Sequence, residues 1–110
     1  MRVLGVDPGL TRLGLGVVES GRPARPRPVA VGVVRTPADD SVDVRLGTIA
    51  EAFDGWIDEH RPDVVAIERV FARSDVSTII GTAQASGLTM GLAARRGIPR
   101  GAAATGPVRI

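Results

Sequence analysis

The sequence predicts an α/β domain built on a mixed sheet, in which a three-strand antiparallel meander is joined by one parallel strand and flanked by helices. Three observations predict it. Two apolar runs, Arg2 to Asp7 and Asp63 to Glu68, each close on a carboxylate. Two further strand-like runs follow the first at hairpin distance, and a helical pattern separates them from the last.

Taken in order, residues 2 to 7 form an apolar run suited to a strand buried on both faces. Pro8-Gly9-Leu10-Thr11 supplies turn chemistry, and Leu13 to Glu19 returns as a second strand, pairing antiparallel with the first. The proline- and arginine-rich connector 21–28 cannot be a central strand, and Val29 to Arg35 reads as the third strand. Ser41 is a candidate helix cap. Val42, Leu46, Ile49, Phe53 and Ile57 then follow at steps of four, three, four and four, one face of a helix that Pro62 stops. Because that helix is a crossover, the strand from Asp63 to Glu68 can lie parallel to an earlier one. A second helix is predicted from Asp75 or Ser77 to Arg96, ended by Gly97 and Pro99.

The second helix carries Gly81, Gly87 and Gly91, each costing roughly 1 kcal/mol relative to alanine in a helix interior. Ala83, Gly87 and Gly91, four apart, leave one ridge nearly bare. Two readings stay open, close packing on the protein's own sheet and contact with a second copy. Beyond Pro99 neither periodicity persists, so the domain is expected to span 1–99, with 100–110 a disordered or out-of-frame tail and the fold incomplete at its carboxyl end.

Composition narrows the chemistry. With 110 residues there is room for one domain and one site. Cysteine is absent, which excludes disulfides, thiolate zinc sites and cysteine nucleophiles, and the single histidine, His60, cannot build a metal cluster. No apolar run reaches a membrane-spanning length, so no membrane association and a soluble cytoplasmic protein are expected. The net charge is only +2, and the high isoelectric point reflects that all 14 basic residues are arginine. Either bidentate phosphate contact or GC-rich coding bias explains that usage.

If the first and fourth strands are neighbours, Asp7 and Glu68 emerge together at the carboxyl edge of the sheet, where open α/β sheets place ligands. Neighbouring strands lie about 4.8 Å apart, close enough for two carboxylates to share a magnesium ion. Read singly, Asp7 is a turn former before Pro-Gly, and Glu68 is a surface acid at a strand end. The element order changes that reading, because acids ending the first and fourth strands of such a sheet form the ribonuclease H-like arrangement.

The residues also resemble a family. Gly5-Val6-Asp7-Pro8-Gly9-Leu10-Thr11-Arg12-Leu13-Gly14, Ala66-Ile67-Glu68-Arg69-Val70-Phe71 and Gly81-Thr82-Ala83-Gln84-Ala85-Ser86-Gly87 together are similar to RuvC, the bacterial Holliday junction resolvases, over residues 1 to 99. The resemblance implies a homodimeric endonuclease that uses two magnesium ions per site to nick opposed strands of a four-way DNA junction, with the RuvA–RuvB branch-migration complex as partner. Asp7 and Glu68 match two of the family's four catalytic, metal-holding acids. Phe71 falls where the family presses an aromatic ring on a junction base, and Arg12, Arg69 and Arg73 are candidates for DNA contact. Gly81, Ala83, Gly87 and Gly91 are the candidate dimer contact.

The sequence departs from the family after Glu68, where Asp75 is the only further acid. Carrying half of the acids, a chain of these 110 residues is expected to be inactive or nearly so. Three other functions fit parts of the pattern. An actin-like ATPase would use the Asp-x-Gly loop for phosphate but needs a second domain. A ribonuclease H-like pre-rRNA nuclease shares the opening loop but not the later motifs. A remnant that only dimerises or binds DNA is the third.

Overall fold

Six elements run along the chain: strands β1 (Arg2–Asp7), β2 (Arg12–Glu19) and β3 (Arg27–Arg35), helix α1 (Val42–His60), strand β4 (Val64–Ile67) and helix α2 (Val76–Arg95). The computed structural model describes residues 1–21, 25–69 and 75–101. The sheet order is β3-β2-β1-β4, antiparallel except where β4 runs parallel to β1. This is the meander plus parallel strand that the sequence predicts.

Period-two alternation sorts the sheet into two faces. Leu4, Val6, Leu13, Leu15, Val17, Val65 and Ile67 point to one side and form a single core with Ile49, Phe53 and Ile57 of α1 and Ala85 and Ala93 of α2. Phe53 is fully buried at its centre. Both helices therefore cover the same face. On the other face, Val29, Val31 and Val33 of the edge strand stand exposed, Val31 to 71%. Gly32, on the helix side of β3, lets the Trp56 ring lie against the backbone, since a Cβ there would come within 2.6 Å of it.

Strand β3 begins earlier than expected and takes in Arg27 and Pro28, with a register shift between Val17 and Val18 opposite it. An edge position and a bulge are where a strand tolerates proline. Helix α1 has Ser41 as its N-cap residue, although the hydroxyl makes no capping bond. It ends at Arg61, which adopts a left-handed conformation (φ 47°) ahead of Pro62. Its inward face differs from the predicted one in the first turn. Val42 is 41% exposed, and the buried position belongs to Arg45. The reason is polar: Arg45 Nε donates to Thr36 Oγ1 at 2.9 Å and Nη2 to Thr11 Oγ1 at 2.8 Å. Thr36 Oγ1 in turn donates to the Leu10 carbonyl at 2.5 Å, so one buried guanidinium ties the β1–β2 turn to the entry of α1.

Helix α2 starts at the Asp75 cap, whose carboxylate accepts from Thr78 N at 2.9 Å. At the other end Arg96 pairs with Asp54 and Asp58, fastening α2 to α1. The chain then turns at Gly97 (φ 74°), and Ile98 packs on the core. One isolated bridge to β4 follows, outside the four strands. Val65 N donates to Pro99 O at 3.0 Å and Gly101 N to Val65 O at 3.1 Å, a parallel bridge along β4 for which the sequence pattern offers no support. The rest of the expected tail, 102–110, lies outside the described residues. Among the described residues, no helix is long and apolar enough to cross a membrane.

Candidate active site

The parallel register pairs Val3 with Val64 and Val6 with Ile67. Glu68 continues the ladder by donating its N–H to Val6 O at 2.9 Å, so the next residues in register are Asp7 and Glu68. The two acids thus stand level on neighbouring chains at the carboxyl edge of the sheet, about one strand spacing apart. Asp7 is exposed and Glu68 half-buried. Since Leu4 and Val6 face the helices, Asp7 projects from the opposite face, which no helix covers among the described residues.

Two glycines of the opening motif explain how Asp7 is presented. Gly14 is its direct cross-strand partner, and a Cβ there would sit 3.2 Å from Asp7 Cβ and 3.8 Å from Oδ2. Glycine keeps the space beside the carboxylate clear. Gly9 shapes the turn that follows, since a Cβ on it would run into the Arg12 carbonyl. A groove of about 380 Å³ opens on this face, lined by Asp7, Arg12, Gly14 and the exposed side of β3.

Cations rim the same edge. Arg12 opens β2, and its register partner is Arg35 at the end of β3. Like charges directly opposite on a sheet repel one another, so this pair is suited to an anion lying across both. Arg35 was not among the sequence candidates, because only the β2–β3 register brings it beside Arg12. Arg69 is exposed directly after Glu68. Phe71 and Arg73 lie outside the described residues. Asp75 serves as the α2 cap instead of joining the acids. Its carboxyl is held below the usual range by the Ser77 hydroxyl and by Thr78.

The donor set suits a hard divalent cation, which takes one or two carboxylates and fills its remaining positions with water or phosphate oxygen. Among the described residues no third potential ligand joins Asp7 and Glu68.

The candidate dimer residues divide between two faces of α2. Gly81 is buried, and a Cβ there would lie 3.1 Å from Leu10 Cβ, so this glycine seats the helix on the protein's own turn. Ala83, Gly87 and Gly91 point outward, and a Cβ at Gly87 or Gly91 would meet nothing within 4 Å. Val76 (71% exposed), Ile80 and Met90 extend that outward stripe. Apolar residues thus occupy the helix face turned away from the core as well as the one turned towards it.

A family model described as crossover junction endodeoxyribonuclease RuvC matches residues 3–108. A RuvC of Saccharopolyspora erythraea is 61% identical over 99 residues, covering 90% of this chain and 50% of the relative. A RuvC of Rhodococcus opacus is 64% identical over 99 residues, covering 90% and 52%. The chain spans about half the length of these relatives. Among solved structures, Thermus thermophilus RuvC in complex with a Holliday junction substrate superimposes with a TM-score of 0.83 at 31% identity, covering 91% of this chain and 61% of that one. The yeast mitochondrial Holliday junction resolvase Ydc2, at 12% identity and a TM-score of 0.64 over 86% of this chain and 44% of its own, shares the fold. With the sheet order, the two level acids and these matches in agreement, this chain belongs to the RuvC family of crossover junction endodeoxyribonucleases.

Proposed function

We propose that this chain carries the carboxylate edge of a magnesium-dependent Holliday junction resolvase, which nicks opposed strands of a four-way DNA junction. The observation that carries the reading is the level placement of Asp7 and Glu68 on adjacent parallel chains, on the sheet face opposite α1 and α2. These two residues would hold the cation. When bound, magnesium supplies a more acidic water and charge neutralisation at the phosphate.

The chain's own residues do the rest. Gly14 keeps the phosphate-facing side of Asp7 open, and Arg12 and Arg35 attract the DNA backbone without reading its sequence. Phe71 and Arg73 are assigned the base and phosphate contacts implied by the family, and Arg69 a further phosphate. The outward stripe of Ala83, Gly87 and Gly91 is the proposed contact with a second copy. A twofold pair suits a junction with two equivalent scissile phosphates. RuvA and RuvB are the proposed branch-migration partners.

With two of the family's four acids, a protein of these 110 residues is proposed to bind junctions while nicking them barely or not at all. The test compares a labelled four-way junction with a linear duplex of the same sequence, at fixed salt, by fluorescence anisotropy and by a nicking assay in magnesium. Preferential binding of the junction supports the reading. Equal affinity for duplex and junction overturns it, and efficient nicking overturns the assignment of weak activity.

A further inference from the structure

Among the described residues the buried guanidinium of Arg45 has no counter-charge. It is 8% exposed, and its two hydrogen bonds go to the neutral hydroxyls of Thr36 and Thr11. Among the described residues no carboxylate lies within ion-pair distance of it. Its Nη1 makes no hydrogen bond there and is not sealed from solvent. Burying a charge without a partner is costly, and truly isolated ones are rare in folded proteins. The two threonines satisfy the donors on one side of the fork and leave the charge itself uncompensated.

Arg45 lines a cleft of about 390 Å³ between the β1–β2 turn and the first turns of α2. No acid lines it. Ser77 donates its hydroxyl to Asp75, whereas Thr82, further along α2, makes no side-chain hydrogen bond among the described residues. Arg12 lines this cleft as well as the groove beside Asp7. Guanidinium groups and hydroxyls converging on an acid-free cleft are the donor set for a phosphate, which Arg binds through paired N–H groups.

We propose that this cleft is a phosphate subsite distinct from the Asp7–Glu68 edge. It takes a backbone phosphate of the bound nucleic-acid strand on Arg45 Nη1, Arg12 and Thr82, where the strand passes over the β1–β2 turn. The assignment of nucleic acid rests on the junction reading above, whereas the phosphate chemistry does not. The subsite holds a strand in register beside the acids and carries no base specificity.

Thr82→Glu tests it without disturbing the Arg45 ties to Thr11 and Thr36, which an Arg45 variant would break. Junction affinity is measured by anisotropy from 50 to 200 mM salt. In parallel, the Arg45 Nε–H resonance is followed by NMR during titration with inorganic phosphate. The proposal predicts junction binding weakened about tenfold by Thr82→Glu, with a log–log salt slope shallower by about one. It also predicts a saturable Nε–H shift with phosphate in the wild type that Thr82→Glu abolishes. A wild type that ignores the junction yet gives the phosphate shift upholds the subsite and overturns the junction reading. Equal junction affinity and slope in both proteins, with no phosphate shift, overturns the subsite and leaves the junction reading standing.

Discussion

Replacing Gly14 with valine separates stability from metal binding, because the space it fills matters to Asp7 and to little else. A Cβ at Gly14 lies 3.2 Å from Asp7 Cβ, which needs a yield of only a few tenths of an ångström. The carboxylate Oδ2 is 3.8 Å from that Cβ, and the γ-methyls of valine reach about 1.5 Å further, into the space beside the carboxylate. The Asp7 side chain must then rotate away from the position level with Glu68. Strand propensity works the other way, since valine is favoured over glycine in a strand on a scale of about 1 kcal/mol. The expected result is urea stability within about 1 kcal/mol of wild type and affinity for Mn²⁺, measured calorimetrically, at least tenfold weaker, which is about 1.4 kcal/mol. Gly14→Ala should fall between the two. Unchanged Mn²⁺ affinity in a folded Gly14→Val protein would refute the argument that this glycine keeps Asp7 available.

Gly9→Ala drives its Cβ into the Arg12 carbonyl and should cost about 1–3 kcal/mol in urea denaturation; an unaltered midpoint would show that the turn relaxes freely. Gly87→Leu places a large side chain where nothing lies within 4 Å, so the monomer should stay folded while sedimentation shifts towards monomer. An unshifted sedimentation profile in a protein that dimerises would move the contact elsewhere. Acid should destabilise the fold. Arg2 and the amino terminus depress the Glu19 carboxyl, and hydroxyl and backbone N–H partners depress Asp43 and Asp75. Depressed groups bind fewer protons folded than unfolded, so their contribution is full above the usual carboxylate range and lost as pH falls through it and below. Denaturation midpoints measured from pH 6 to pH 2 should fall steadily, and Glu19→Gln should flatten part of that decline.

Much of this architecture was legible because it rests on local pattern. Turn residues at 8–11, the spacing from Val42 to Ile57 and the breaks at Pro62 and Pro99 place strands and helices, and the crossover helix allows β4 to run parallel to β1. With that pairing, the level placement of Asp7 and Glu68 follows. What escaped depends on contacts between distant segments. Arg45 occupies a core position of α1 because hydroxyls from Thr11 and Thr36 await it, whereas apolar periodicity nominates Val42 for that turn. Gly81 shares the spacing of small residues with its neighbours on α2, yet only the position of Leu10 tells that it faces inward. Arg35 comes beside Arg12 through strand register, and the backbone pairing at Pro99 to Gly101 uses N–H and carbonyl groups that every sequence carries.

The central claim is that Asp7 and Glu68 act together on one divalent cation, and a double-mutant cycle of Mn²⁺ binding tests it most directly. Wild type, Asp7→Asn, Glu68→Gln and the double variant are titrated with Mn²⁺ and free ion is read by electron paramagnetic resonance. The account predicts saturable binding in wild type and at least tenfold weakening by either single change. The double variant should lose little beyond the worse single one, because the first change already dismantles the shared site. Additive losses from the two changes, or Mn²⁺ affinity indifferent to both, would contradict it.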